Sequence, residues 1–325
     1  MQSKGKVLFI DTTHAILPQK LEEAGFKCDH FSSKSIDQLK EILPLYHGLI
    51  IRSKFKLDKT LLNLATSAKF IGRVGAGMEN IDVEYASEKG ITCFNSPEGN
   101  CNAVAEHAMG MLLSVMNNLN RANREVREGI WRREENRGIE IMGKTVGIIG
   151  YGNTGSAFAK RLSGFDCHIL AYDKYKSGFS NDHVHESSLV DIYENADIVS
   201  LHVPLTQETT YMFNEEFIAS LRKPVFLINT ARGPVVKTAA LVDGIESGKI
   251  RGACLDVIEY EAVSFEKLYA NSLPTDFSYL IGSDKVVLSP HIAGWTHESN
   301  YKLSEILANK ILEFWESKMD QLQIR

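Results

Sequence analysis

The chain has no CxxC pair of cysteines. Its five cysteines, Cys28, Cys93, Cys101, Cys167 and Cys254, are scattered and odd in number. That excludes a disulfide frame or a zinc ribbon, predicts no metal site, and fits reduced thiols in a cytoplasmic protein. No apolar run approaches the roughly 18 residues a membrane span needs. Basic residues are not in excess: 36 Lys and Arg stand against 41 Asp and Glu, a net charge of −5. Nucleic acid and anionic lipid surfaces are therefore poor partners. Repeats of fixed period and low-complexity segments are missing too. The opening "MQSKGKVLFID" runs almost directly into a strand pattern, so a secretory leader is not expected.

What is present is ordinary globular composition, with 44% hydrophobic and 24% charged residues over 325 positions. That length can bury two cores. The first hundred residues alternate strand and helix patterns. "KVLFI", "GLIIRS", "KFIGRVGAG" and "ITCFNSP" read as strands, and "PQKLEEAG", "LDKTLLNLATSA" and "IDVEYASEKG" as helices, the last capped by Asp82 and stopped by Gly90. One long helix is expected over "AVAEHAMGMLLSVMNNLNRANREVREG", bridging to a second alternating series that begins with "TVGIIG". Alternation of this kind predicts parallel sheets covered by helices, an α/β chain with two doubly wound domains.

The second series opens on a glycine-rich turn, Gly150-Tyr151-Gly152-Asn153-Thr154-Gly155. GxGxxG spacing alone is a weak signal. Here a strand precedes it and a helix follows, and "ILAYD" places Asp173 at the end of the next strand, about 20 residues on. The second glycine lets a pyrophosphate approach the backbone, and the helix N-terminus offers unpaired N–H groups. A carboxylate at Asp173 can accept adenosine ribose hydroxyls and would repel a 2′-phosphate. The expected cofactor is therefore NAD, although Lys174 stands beside Asp173.

Ligands in open α/β sheets bind at the carboxyl ends of strands. In the second series those ends deliver Arg232 from "PVFLINTARG", Asp256 and Glu261 from "GACLDVIEYE", and His291 from "KVVLSPH". An arginine fork can grip a carboxylate. A histidine can give and retake a proton near neutral pH, and a neighbouring carboxylate orients it and favours its protonated form. The set suits hydride transfer between a 2-hydroxy acid and its 2-keto acid. Each residue alone has a plainer reading: a structural histidine, a surface arginine, a loop acid, an aspartate capping a turn.

These residues and their order resemble the D-isomer-specific 2-hydroxyacid dehydrogenases, in particular the phosphoglycerate dehydrogenase branch. The resemblance runs through "IIRS", "RVGAGMENID", "FNSPEGNCNAVAEHAMGMLL", "GKTVGIIGYGNTG", "LHVPLTQET", "INTARG", "LDVIEYE" and "LSPHIAG". It implies a Rossmann NAD-binding domain, residues 101–291, inserted into a flavodoxin-like substrate domain built from 1–100 and 292–325. That placement would explain a dinucleotide fingerprint so far from the N-terminus. It implies catalysis by Arg232, Glu261 and His291. Contact with NAD would come from Gly150, Gly152, Asn153, Thr154, Gly155, Asp173, Val203, Pro204, Thr230, Asp256 and Gly294. Arg52, Ser53, Gly75, Ala76 and Gly77 would hold the substrate. It also implies a homodimer, in keeping with an apolar helix from Val104 to Leu119.

Three features depart from the family pattern on the substrate side. Ala262 follows the glutamate where proline is common, the stretch 262–284 is long, and Trp295 replaces a small residue. The C-terminal regulatory domain of some phosphoglycerate dehydrogenases has no counterpart here, so serine feedback through it is not expected. The activity implied is oxidation of 3-phosphoglycerate in serine biosynthesis. Glyoxylate or hydroxypyruvate reduction and D-lactate dehydrogenation are the alternatives within the enzyme class. An NAD-sensing corepressor-like binding protein is the alternative outside it.

Overall fold

The computed structural model describes residues 4–33, 35–261 and 274–323, the last six by backbone alone. The first part of the unusual 262–284 stretch, Ala262 included, lies outside the described residues. The chain divides into two compact units. One takes the residues up to Asn100 and those from Trp295 onward; the other takes the described residues from Cys101 to Gly294.

The first unit holds five parallel strands: β1 (Gly5–Phe9), β2 (Phe26–His30), β3 (Gly48–Ile51), β4 (Phe70–Arg73) and β5 (Thr92–Phe94). Their spatial order is β2-β1-β3-β4-β5. Side chains alternate across the sheet as strand geometry requires. Val7 and Phe9 enter one core, with Leu307, Ala308 and Ile311 of the last helix, His297–Gln323. Leu8 and Ile10 enter the opposite core with Leu39, Leu49 and Leu61. The C-terminal helix thus closes the first sheet.

The second unit holds seven parallel strands: β6 (Thr145–Ile149), β7 (His168–Tyr172), β8 (Val184–Glu186), β9 (Ile198–Leu201), β10 (Val225–Asn229), β11 (Ile250–Leu255) and β12 (Val286–Leu288). Their order is β12-β11-β10-β9-β6-β7-β8, so the winding reverses between β6 and β9. Crevices at such reversals are where doubly wound sheets bind ligands. The same alternation builds two cores: Phe226 and Ile228 point to one face, Val225 and Leu227 to the other.

Three expectations need correction. The strands β2 and β8 were not anticipated, because "FKCDH" and "VHE" are short, charged edge strands with little apolar signal. The helix Ile36–Ile42, capped by Ser35, was also missed. Finally, the long helix after residue 100 is two, Cys101–Met116 and Leu119–Arg127. Asn118 breaks it with a left-handed backbone (φ 53°) and donates its side-chain amide to the Arg137 carbonyl. Asparagine tolerates that conformation better than most residues. The first of the two helices buries Ala105, Ala108, Met109, Met111, Leu112 and Val115 in the core of its own unit. Exposed Leu119, Val126, Trp131 and Met142 follow it instead.

Candidate cofactor and catalytic site

The glycine turn after β6 is built by close approach. Gly150 has φ +92°, and a Cβ there would lie 2.5 Å from the His202 carbonyl oxygen. A Cβ on Gly155 would lie 2.0 Å from the Gly150 oxygen, so the helix Asn153–Leu162 can pack against the turn only with glycine there. Gly152 differs: nothing lies within 4 Å of where its Cβ would be. That open space stands at the N-terminus of the helix, which has no side-chain cap. No described residue accepts the N–H groups of Gly152, Asn153 or Thr154. Unsatisfied N–H groups facing open space suit a pyrophosphate.

Asp173 follows β7. Its Oδ2 accepts from the Tyr151 N–H at 2.8 Å, and its Oδ1 from Tyr175 and Lys176 at 2.9 and 3.0 Å. Three donors leave room for another on a group with about four acceptor positions. The carboxylate thus ties the glycine turn to the second strand and can still receive a ribose hydroxyl. Lys174, its neighbour, pairs with Glu208 at 2.8 Å. Val203 lies beside the turn, its Cγ1 3.1 Å from a Cβ built on Gly150, and Pro204 follows exposed. The Thr230 hydroxyl is buried and has no partner among the described residues. Open N–H groups, an acceptor on Asp173 and an orphaned hydroxyl are features a bound dinucleotide would complete, so the residues fit NAD.

The catalytic candidates come from the turns after β10, β11 and β12. His291 Nδ1 meets Glu261 Oε2 at 2.6 Å, with the imidazole 23% and the carboxyl 15% exposed. The Ile258 N–H donates to the other glutamate oxygen at 2.5 Å and so fixes the carboxylate. Arg232 sits one turn away. A Cβ on the next residue, Gly233, would lie 1.9 Å from the Ile258 oxygen, so the arginine turn rests directly on the glutamate turn. Asn229 pins the arginine turn by donating to the Arg232 carbonyl and accepting from Ala231 N–H. Asp256 is 2% exposed and accepts the N–H groups of Ile292 and Ala293. Its carboxylate braces the histidine loop, a role the sequence reading did not include. Gly294 ends that loop. All the expected cofactor and catalytic residues thus belong to one unit and to the carboxyl ends of its strands.

Arg52, Ser53, Gly75, Ala76 and Gly77 belong to the other unit. Asp11, which follows β1, accepts the N–H groups of Arg52, Ser53 and Lys54 at 2.6, 3.1 and 3.3 Å, which shapes the loop after β3. Asp11 was missed, although an aspartate just beyond a strand's carboxyl end is a legible signal. The Arg52 guanidinium lies 4.2 Å from the Trp295 ring centroid, which gives the unusual tryptophan a place. Gly75 has φ +154°, and the Arg73 guanidinium fills the space a side chain would need. The carbonyls of Gly75 and Ala76 accept from Ser96 and Asn95. No described residue accepts the N–H groups of Gly75, Ala76 or Gly77.

Residues 109–293 match the family model described as the D-isomer specific 2-hydroxyacid dehydrogenase, NAD binding domain. The chain is 37% identical over 294 residues to a hydroxypyruvate reductase of Thermotoga maritima, covering 90% of this chain and 91% of that one. It is 34% identical over 295 residues to a D-3-phosphoglycerate dehydrogenase of Archaeoglobus fulgidus, covering 90% of this chain and 54% of the relative. The chain thus spans about half the length of that relative. Among solved structures, a D-lactate dehydrogenase from Aquifex aeolicus complexed with NAD and lactic acid superposes with a TM-score of 0.81 and 28% identity, covering 98% and 97% of the two chains.

Proposed function

We propose that this chain, which belongs to the D-isomer-specific 2-hydroxyacid dehydrogenases, interconverts a D-2-hydroxy acid and its 2-keto acid with NAD. The observation that carries this reading is the Glu261–His291 pair, with the Arg232 turn packed against it, in the sheet that bears the dinucleotide turn. When bound, NAD accepts the hydride in oxidation and NADH returns it in reduction. The rest of the chemistry belongs to side chains. Arg232 grips the substrate carboxylate and draws electron density towards the carbonyl oxygen. With Nδ1 engaged by Glu261, the Nε2 of His291 takes the hydroxyl proton during oxidation and gives it back during reduction. Glu261 stabilises the imidazolium formed on the way.

The substrate with most support is 3-phosphoglycerate. Arg52, stacked on Trp295, is a cation suited to an anionic tail. A second reading, hydroxypyruvate reduction, is favoured by the Thermotoga maritima relative, which matches over nearly its whole length. NADH oxidation measured against 3-phosphohydroxypyruvate, hydroxypyruvate, glyoxylate and pyruvate separates them. The highest kcat/KM with the phosphorylated acid supports the first reading. A preference for hydroxypyruvate supports the second. NADH binding with no turnover of any acid would leave a binding protein of corepressor type.

A further inference from the structure

His291 holds its ring on a backbone that side chains rarely adopt: its φ is +56°. Such a conformation persists where the surroundings over-determine it. Here they do so through one residue. The carbonyl oxygen of Asp256 accepts the His291 N–H at 2.8 Å. Its Oδ1 accepts from Ile292 N–H at 2.8 Å, and its Oδ2 from Ala293 N–H at 2.9 Å. Three successive N–H groups therefore converge on Asp256, with His291 the first of them.

The clamp is itself held from behind. The Ser289 hydroxyl donates to Asp256 Oδ1 at 2.6 Å. A hydroxyl has one proton, so the Ser289 oxygen can only accept from its other partner, His107 Nε2 at 2.8 Å. His107 must therefore carry a proton on Nε2. That nitrogen also lies 3.6 Å from Asp256 Oδ1. His107 stands on the helix Cys101–Met116, which packs against β11 and β12. Met111, one turn further along, places its sulfur 3.8 Å from the Ser289 oxygen and offers it only a weak acceptor. The proton on His107 directs the Ser289 hydroxyl towards the aspartate.

We infer that His107 is a positioning residue: through Ser289 and Asp256 it fixes the loop that aims His291 at Glu261. The inference rests on His291 being the acid/base of the proposed reaction. It goes further in giving a helix that contributes no group to the chemistry control over where the imidazole points.

The test compares His107→Ala, His107→Gln, Ser289→Ala and the double variant His107→Ala/Ser289→Ala in the full chain. Gln keeps an N–H donor at a similar reach. His107→Ala should lower kcat by about fivefold to twentyfold, the scale of one lost hydrogen bond in a buried network. KM for the keto acid and NADH affinity by fluorescence should stay within about twofold, because no binding group is touched. His107→Gln should recover most of the rate. The double variant should be no worse than Ser289→Ala, since both act on one chain of bonds. A second readout needs no turnover: the proton NMR signal of His291 Nδ1–H, identified by its loss in His291→Ala. It should broaden or vanish in His107→Ala and return in His107→Gln.

An unchanged kcat in His107→Ala, a multiplicative double variant, or an Nδ1–H signal indifferent to His107 would each overturn the inference. If His107→Ala does not fold, Ser289→Ala and His107→Gln carry the same comparison. If the wild type turns over no keto acid, the proposed function fails, while the NMR signal still decides whether His107 holds the loop.

Discussion

Two histidines in the second unit follow strands of the same sheet, His202 after β9 and His291 after β12. Each has a ring nitrogen engaged by one neighbour. His202 Nε2 lies 2.8 Å from the Ser200 hydroxyl, and its ring packs against Phe158 with centroids 5.4 Å apart. It is buried, 8% exposed, and its Nδ1 has no partner among the described residues. Burial pushes its pKa down to about 4. His291 meets a carboxylate instead and keeps part of its ring exposed. The contrast shows what separates a packing histidine from the proposed proton carrier. A neutral hydroxyl in an apolar pocket leaves no compensation for charge. A fixed carboxylate partner and an opening to solvent give a ring both a counter-charge and access to substrate. Strand position does not distinguish the two; the partner and the access do.

Removing the ring from each site should break the symmetry between them first. His291→Ala should lower kcat for keto-acid reduction by roughly 10²–10⁴ while NADH affinity, read by fluorescence, stays close to wild type. A comparable kcat loss from substituting His202 would mean that the partner and the access are the wrong criteria.

The next effect comes from turning the charged partner into a neutral one. Glu261→Gln keeps the shape but removes the charge that favours an imidazolium. Reduction draws its proton from that ring, so kcat should fall by about tenfold under saturating NADH while NADH affinity stays close to wild type. An unchanged kcat would show that Glu261 does not support His291.

His202 should instead register in stability. Its folded pKa, about 4, lies below the ordinary imidazole value of 6.5. Between those values the unfolded chain binds the proton and the folded one does not, so stability rises with pH across the window. It should fall as pH drops from 6.5 towards 4, by up to about 3 kcal/mol. Urea unfolding at pH 7.5 and pH 4.5 should show a shallower pH dependence in His202→Gln. Equal slopes would mean the buried ring does not exclude the proton.

The smallest effect is expected from Ser200→Ala. It removes one neutral buried hydrogen bond, so unfolding at pH 7.5 should cost about 1 kcal/mol of stability with kcat unchanged. A larger kcat effect than stability effect would tie the His202 pocket to the chemistry after all.

Much of this was legible in the chain. The strand–glycine–helix pattern at residue 145 and Asp173 at the next strand end carry their meaning locally. The strand ends deliver Arg232, Glu261 and His291 in an order that needs only the alternation of elements to interpret. Edge strands such as "FKCDH" were not legible, because one exposed side and charged residues dilute the period-two signal. The break at Asn118 was also hidden, since the residues on both sides favour a helix and one left-handed asparagine leaves no mark in periodicity. The apolar helix before it places much of its apolar surface in its own core, which periodicity alone did not assign.

The sequence by itself determined the class of fold, the dinucleotide turn and the residue types of the acid/base pair, because each depends on spacing within a strand, a turn or a helix. Which histidine meets a carboxylate and which is sealed beside a serine was decided only by tertiary structure. So was the link from His107 through Ser289 to Asp256, which joins positions 107, 256 and 289. Their separation along the chain carries no local signal. Only when the sheet closes and the helix packs across it does the proton on one ring reach a single hydroxyl, at 2.8 Å, and that hydroxyl a buried carboxylate, at 2.6 Å, the range over which hydrogen bonds act.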